Sequence, residues 1–161
     1  MILFGSVLLI SVVAFIIISG KSDSIEDKYK RNPVIFETVS QVLCLKQSDA
    51  FPVLINEDNY VEKSASSSFI NSITGELRDI FETTSCDIIF ASETQQGTPY
   101  CIFTSHSLKA VTGIAFIDGK LDFEIIDSVF GSLLVNKYTV ISDKWISFEY
   151  LTADGEKDVP G

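Results

Sequence analysis

The most constraining feature of the sequence is its opening, an uncharged apolar segment that runs from Ile2 to Ser19. As a helix this segment would be about 27 Å long, close to the thickness of the hydrocarbon core of a bilayer. A buried helix of a globular domain normally carries a polar stripe, whereas this segment shows none on any face. The sequence therefore predicts that residues 2–19 contact the lipid bilayer.

The same segment allows two interpretations, a cleaved signal peptide or a retained anchor. A signal peptide normally has a basic start, a shorter apolar core and small residues before the cut. Here no Lys or Arg precedes the apolar segment, and only Ser19-Gly20 resembles a cleavage site. We therefore expect residues 1–20 to be a single-pass anchor, and a signal peptide remains the alternative.

The orientation of this anchor is less constrained than its existence. The four nearest cations, Lys21, Lys28, Lys30 and Arg31, all come after the apolar segment. The positive-inside rule would therefore keep the rest of the chain in the cytoplasm. A hydrophobic segment at the extreme N-terminus, however, most often directs the export of the domain behind it. We expect an extracytoplasmic domain, and the cytoplasmic orientation stays open.

The remaining residues, about 140 of the 161, are a normal size for one hydrophobic core. With 46% hydrophobic and 21% charged residues, the chain is too apolar to be disordered. The formal net charge is −10, and 19 of the 22 acids lie outside the charged segment 21–31. Such a surface repels phosphate backbones, so no nucleic-acid partner is expected. It suits a basic protein partner.

The helical part of the domain comes after the charged residues 21–32, which form either a juxtamembrane linker or a helical extension. Pro33 suits the first turn of a helix that runs to about Lys46. Phe51–Ile55 is predicted to be a short strand. A second helix is predicted to begin at Ser66–Ser68, because an apolar stripe with helical spacing comes next, made by Phe69, Ile73, Leu77, Ile80 and Phe81.

After Ser85 the apolar residues recur with a period of two, which is typical of strands. The predicted strands are Cys86–Ala91, Tyr100–Thr104, Val111–Ile117, Lys120–Ile126, Val129–Val135, Tyr138–Ile141 and Lys144–Leu151. Asp118-Gly119 is a strong hairpin signal between the third and fourth of these. The expected fold is α+β, with two helices packed on one face of an antiparallel β-meander of about six strands and the other face wet. It occupies residues 33–152 as a single domain, and a polar tail completes the chain at 153–161.

The three cysteines leave one over after any pairing. Cys86 and Cys101 lie on the two arms of one predicted hairpin, where opposed positions bring sulfurs within bonding distance. In an exported domain this pair is the possible disulfide, whereas in the cytoplasm both would be buried thiols. Cys44 comes after the apolar Val42-Leu43 of the first helix and is expected in the core.

No cofactor or metal site is predicted. The single histidine, His106, and the three cysteines do not have the spacing of a zinc site. A nucleophilic pair of His106 with Cys101 or Cys44 would also need a third positioned group, for which there is no local signature. Gly20-Lys21-Ser22 ends like a phosphate-binding loop, but Phe15 occupies the place of that loop's first glycine. An exposed loop histidine explains His106 better.

The acidic residues Asp122, Glu124 and Asp127 are the other candidate catalytic group. Residues two apart on a strand share a face, so Asp122 and Glu124 could present two carboxylates to a sugar or a cation. The same alternation is typical of any solvent-facing strand. The only tryptophan, Trp145, should point opposite Ile146, Phe148 and Tyr150, and either a binding role or packing beneath a helix explains it.

No family resemblance is evident, so function rests on these features alone. We expect a membrane-anchored, non-enzymatic domain that binds another protein, as a small envelope component or an accessory subunit. One alternative is an inhibitor or immunity-type protein whose acidic surface blocks a basic target. The other is a hydrolase that uses His106 or the face carrying Asp122 and Glu124.

Overall fold

The computed structural model describes residues 23–45, 51–131 and 133–153. The helices are α1 (Ile25–Arg31), α2 (Pro33–Leu45), α3 (Tyr60–Ser66), α4 (Ser68–Asn71), α5 (Thr74–Thr83) and α6 (Phe123–Phe130). The strands are β1 (Val53–Asn56), β2 (Ile88–Glu93), β3 (Pro99–His106), β4 (Ala110–Ile117), β5 (Leu134–Val140) and β6 (Trp145–Leu151). The predicted anchor lies outside the described residues, and none of the helices within them is long and apolar enough to cross a membrane.

Helix α1 occupies much of the charged segment 21–32, for which a linker or a helical extension was expected. Ser24 caps it by accepting a hydrogen bond from the Asp27 backbone nitrogen at 3.1 Å. Ile25 and Tyr29, four residues apart and so on one side of the helix, are both buried. The charged residues are therefore the outer side of a helix whose inner side belongs to the core.

Helix α2 agrees with the predicted helix that begins at Pro33, and it buries Phe36, Val39 and Leu43. The predicted second helix is divided in the structure into α4 and α5, with a break at Ser72 and Ile73. Helix α3 was not predicted, because its sequence YVEKSAS has only one large apolar residue after Tyr60.

The six strands form one antiparallel sheet in the order β1-β2-β3-β4-β6-β5. The order is that of a meander except at the end, where β6 lies between β4 and β5. One row across the middle of the sheet joins Ala91, Cys101, Phe116 and Trp145. The predicted α+β class with a six-stranded antiparallel sheet is confirmed, whereas the number of helices is larger than the two predicted.

The predicted strand Lys120–Ile126 is wrong, and so is the hairpin at Asp118-Gly119. The chain leaves β4 at Asp118 and enters α6, whose N-cap Asp122 accepts a hydrogen bond from the Glu124 nitrogen at 3.0 Å. The predicted strand Val129–Val135 is wrong for the same reason, because its first residues end α6 and β5 begins only at Leu134. Alternating apolar residues over so short a segment fit a capped helix as well as a strand.

The sheet is covered on both faces, which corrects the expectation of one wet face. Helices α1, α2 and α5 pack on what we call the helical face, which includes Cys101, Phe103 and Trp145. Helix α6 lies on the opposite face, the α6 face, which is made by Tyr100, Ile102, Ala115, Ile117, Ile146, Phe148 and Tyr150. Because both faces are buried, the central strands are apolar at nearly every position.

Gly113 of β4 is where the sheet needs the absence of a side chain. A Cβ atom there would collide with the carbonyl oxygen of Phe103 and would lie 2.8 Å from Cζ of Phe148. The aromatic ring therefore covers the glycine on the α6 face, and the neighbouring strand approaches it closely.

Candidate functional site

The single histidine lies at the end of β3, in an ion-pair geometry with Asp87. His106 Nδ1 is 2.9 Å from Asp87 Oδ1, and the His106 backbone nitrogen donates to Asp87 Oδ2 at 2.9 Å. The carboxylate therefore orients the imidazole ring through Nδ1, and Nε2 is the nitrogen that Asp87 does not contact. The base of a hydrolytic triad has the same arrangement. Both side chains are 41% exposed, so the pair is a surface feature.

Neither Cys86 nor Cys101 is placed to act as a nucleophile with this histidine. His106 belongs to the α6 face by its register with Val111, whereas Cys101 is fully buried on the helical face. Cys86 precedes Asp87 in the chain, but its Sγ lies 3.6 Å from the carbonyl oxygen of Ile88. Burial, with the charge of Asp87, raises the pKa of the Cys86 thiol far above its ordinary value. A thiol in that state is a poor nucleophile.

The two cysteines of the possible disulfide are not in opposed positions. Cys101 lies opposite Ala91, and the Cys86 thiol lies near the backbone of Thr104, three residues further along β3. Three strand residues span about 10 Å, whereas a disulfide needs a Cα separation of about 4.4 to 6.8 Å. Cys44, Cys86 and Cys101 are all free and buried in the structure, and the Cys86–Cys101 disulfide stays a prediction.

Asp122 and Glu124 lie at the start of α6, so they do not share a strand face. They border an open depression of about 400 Å³ together with Thr94, Gln96, Thr98, Lys120, Leu121 and Ile125. One oxygen of Asp122 is already used to cap α6. The two acidic residues therefore share a helix start and a depression, and the predicted pair on a strand face is wrong.

Asp127 is the one of these three acidic residues whose carboxylate accepts hydrogen bonds from other side chains. Its Oδ1 accepts hydrogen bonds from the hydroxyls of Tyr138 and Tyr150, the latter at 2.5 Å, and the two hydroxyls also contact each other. Tyr150 is fully buried, and Tyr138 is half-buried. We call these three residues the Asp127 cluster.

Apolar rings enclose the Asp127 cluster on several sides. Phe123 packs on Tyr138 at 4.7 Å between ring centroids, and Phe130 packs on Tyr150 at 5.0 Å. Burial, and after it the hydrogen bond to Asp127, raises the pKa of Tyr138 to about 12. The same two causes raise the pKa of Tyr150 well above its ordinary range. Both phenols therefore stay protonated and act as hydrogen-bond donors, which suits the attachment of α6 to β5 and β6 better than proton transfer.

Trp145 points away from Ile146, Phe148 and Tyr150, as its position in β6 predicts. Its ring lies 4.6 Å from that of Tyr29 and 5.4 Å from that of Phe116, and it is 3% exposed. The tryptophan therefore belongs to the core beneath the helices and is not available as a binding residue.

The largest concentration of exposed apolar side chains lies around β5. Four of the eight exposed large hydrophobic residues in the described part of the chain are on α6 and β5, namely Phe123, Val129, Leu134 and Val140. Leu134 is 50% and Val140 is 55% exposed. We define the β5 surface as Tyr138 and Val140 of β5 together with Phe123 of α6, all on the α6 face; Leu134 lies beyond the register shift, opposite Leu151 and on the helical face. Within the described residues, β5 pairs with β6 alone, so its outer edge carries unpaired backbone groups.

On the helical face, the same strand borders a polar depression of about 200 Å³ between the start of α1 and the sheet. Lys137 and Thr139 of β5 lie beside Ser24 and Glu26 of α1 in this depression. Ser147 and Glu149 of β6 line its floor. The edge strand is therefore flanked by apolar groups on one face and by hydroxyls and charges on the other.

No group of three or more histidine, cysteine or acidic side chains is placed to hold a metal ion among the residues that the structure describes. Sequence reasoning missed the Asp127 cluster, whose members come from α6, β5 and β6. It also missed the β5 surface. The apolar residues Leu134, Tyr138 and Val140 were visible in the sequence, but the sequence did not show that this strand lies at an edge.

No protein-family model matches the chain. No curated protein and no solved structure is significantly similar to it.

Proposed function

We propose that this chain is a membrane-tethered protein-binding domain that receives an extended segment of a partner along β5. The observation that supports the proposal is the β5 surface, where an unpaired strand edge coincides with exposed apolar side chains. A partner strand added to such an edge gains backbone hydrogen bonds, and the side chains on either face provide specificity. The tether is the segment Ile2–Ser19, because of its length, its hydropathy and its lack of charge.

The two edges of the sheet are not equivalent. The opposite edge, β1, has only four residues and exposes one large apolar side chain, Leu54. Strand β5 has seven residues, although a register shift between Val135 and Lys137 interrupts it. The regular part from Lys137 to Val140 is therefore the segment to which a partner strand would add.

The side chains beside β5 indicate the chemistry of the partner. On the α6 face, Phe123 and Val140 offer apolar contact, and Asp122 and Glu124 lie close by at the start of α6. On the helical face, the depression is lined by Glu149, by Lys137 and by Glu26, whose carboxylate already pairs with Lys30 at 2.6 Å. An extended segment with apolar residues toward Val140 and basic residues toward the start of α6 would match the α6 face, in agreement with the net charge of −10.

Site-specific photo-crosslinking in the native membrane tests this proposal. A photoreactive residue at Val140 or Phe123 should give a discrete adduct with another protein. The same residue at Val34 or Val61, which are 64% and 60% exposed on α2 and α3, should not. Equal adducts at all four positions, or none at Val140 and Phe123, would contradict the proposal.

A substitution sharpens the experiment. Val140→Lys places a charge on the β5 surface and should abolish the adduct formed from Phe123, because burial of a lysine ammonium against an apolar segment is costly. Val61→Lys is the matched control, since it changes an equally exposed valine on another surface. The inhibitor alternative, in which acidity alone drives binding, requires adduct formation to fall steeply between low and high salt.

A further inference from the structure

The polar depression between the start of α1 and the sheet, about 200 Å³ in volume, brings together polar side chains from three neighbouring strands. Thr112 of β4 lies opposite Glu149 of β6, and Glu149 lies opposite Lys137 of β5. The next row joins Ser147 of β6 to Thr139 of β5. Directly opposed residues of an antiparallel pair have Cβ atoms about 4.5 to 5.5 Å apart, so neighbouring members of this set can contact the same small ligand.

Ser147 indicates that the depression is more than an irregularity of the surface. Its side chain is 6% exposed and lines the depression, yet its hydroxyl forms no hydrogen bond with any residue that the structure describes. Polar groups buried this deeply are normally hydrogen-bonded, and an unpaired one beside a cavity indicates a partner from outside the chain. The exposed hydroxyls of Thr112 and Thr139 are likewise unpaired among the described side chains.

The charges that line the depression have both signs. The Lys137 ammonium forms no ion pair within the described ranges, and together with the three hydroxyls it supplies donors for an oxyanion. The carboxylate of Glu149, between Thr112 and Lys137 in the same row, repels a simple anion and attracts a cation. Glu26 adds little to this attraction, because its carboxylate pairs with Lys30 at 2.6 Å. The arrangement therefore suits a ligand that carries a cation and an anion a short distance apart.

We propose that the depression binds a small zwitterion in which two carbon atoms separate an ammonium group from a phosphate, the chemistry of an ethanolamine phospholipid headgroup. The phosphate oxygens accept hydrogen bonds from Lys137, Thr139 and Ser147. The ammonium donates to Glu149, whose carboxylate oxygens have lone pairs for several donors. A volume of about 200 Å³ suits a headgroup, because pockets for drug-sized ligands are larger, at about 300 to 1,000 Å³.

The position of the depression along the chain favours a membrane lipid as the source of this zwitterion. Ser24, which lines the depression, is five residues after Ser19, where the apolar segment ends. Five residues span at most about 18 Å, so a tether that crosses the bilayer would hold the depression near the headgroups. This choice of source rests on the tether of the proposed function, whereas the binding chemistry does not.

Native mass spectrometry of the full chain in detergent, with each probe added in turn, tests the proposal. Phosphatidylethanolamine should remain bound after the detergent is removed, and free O-phosphoethanolamine should compete with it. Phosphatidylglycerol lacks the ammonium and phosphatidylcholine has one that cannot donate hydrogen bonds, so both should bind more weakly. Equal binding of the three lipids, or binding of neither phosphatidylethanolamine nor O-phosphoethanolamine, overturns the proposal. Binding of O-phosphoethanolamine without the lipid overturns the lipid source and supports a soluble ligand.

Substitutions in the depression assign the binding to its side chains. Lys137→Met should weaken binding of either probe by about tenfold or more, because a charged hydrogen-bond donor is lost. Ser147→Ala should weaken it by about threefold or more. Lys120→Met is the matched control, since it removes an exposed lysine from the segment between β4 and α6 and should leave binding unchanged. Near-ultraviolet circular dichroism checks that each variant is folded. Unchanged affinity in both Lys137→Met and Ser147→Ala overturns the assignment.

The failure of this proposal can be told apart from the failure of the proposed function. If residues 2–19 do not tether the chain, O-phosphoethanolamine should still bind in the depression. The photo-crosslinking expected at Val140 takes place on the α6 face and does not depend on a ligand on the helical face.

Discussion

Replacing Tyr150 with phenylalanine tests the role of the Asp127 cluster with the smallest change in shape. The variant keeps the ring that packs on Phe130 and removes only the hydroxyl that donates to Asp127 at 2.5 Å. A hydrogen bond to a charged group contributes about 1.5 to 3 kcal/mol, and Tyr150 is fully buried, so solvent does not replace the donor. We expect the free energy of unfolding to fall by about 2 kcal/mol, within that range.

Two further variants test whether the expected loss of stability comes from the hydrogen bonds to Asp127. Tyr138→Phe should cost less, about 0.5 to 1.5 kcal/mol, because Tyr138 is half-buried and water can reach Asp127 in its place. The loss of unfolding free energy in the double variant should differ from the sum of the two single losses by at least about 0.5 kcal/mol. The losses are not additive because both hydroxyls contact one oxygen and each other. Tyr60→Phe, a buried tyrosine that packs on Phe81 in another part of the core, is the matched control.

The assay is urea unfolding of the purified chain, monitored by tyrosine and tryptophan fluorescence at neutral pH. The cluster is responsible only if the midpoint moves while the slope stays constant. If Tyr150→Phe changes the free energy of unfolding by less than about 0.5 kcal/mol, the hydroxyl is not an anchoring donor and the interpretation is refuted.

Three other predictions concern the same fold. Gly113→Ala should destabilise the domain by about 2 kcal/mol or more, because its Cβ would meet the Phe103 carbonyl in a packed sheet. Gly75→Ala should instead stabilise the domain by about 0.5 to 1 kcal/mol, because its Cβ would meet open space in α5. Urea unfolding of the two variants measures both changes. Stability should also fall as the pH rises from 10 through 12, because the tyrosines of the Asp127 cluster keep their protons in the folded state after those of the unfolded chain are lost. The fall should be smaller in a variant in which both tyrosines are phenylalanine, and an unchanged pH profile would contradict the assignment.

The strands with many apolar residues and no competing helical pattern were predictable from the sequence. In β6 the alternation from Trp145 to Tyr150 places the tryptophan on one face and its apolar neighbours on the other, and the structure has both faces buried. Helix α6 was not predictable in the same way, because Leu121, Phe123 and Ile125 alternate over too few residues. The deciding feature is the Asp122 cap, whose hydrogen bond depends on three-dimensional geometry.

The candidate sites were less predictable than the fold, because their members come from distant parts of the chain. Asp127 was noticed as an acid near Asp122 and Glu124, but its partners Tyr138 and Tyr150 have no spacing that predicts a contact. The depression between α1 and β5 depends on how a helix crosses the sheet. Local patterns determine which face a residue is on, and only tertiary packing determines its neighbours there.

The start of α1 has a mechanical consequence. Asp23 forms an isolated parallel bridge with Thr84, and its carbonyl oxygen accepts from the Ser85 nitrogen at 3.3 Å, so the chain is fastened to the body of the domain from its first described residue. If the anchor ends at Gly20, the linker between the anchor and Asp23 is about 10 Å long at full extension. A linker of that length would restrict how far the domain can reorient relative to the membrane. The tilt of the domain above the lipid, and with it the direction in which β5 faces, would then be set by the fold, and a partner would have to approach from that direction.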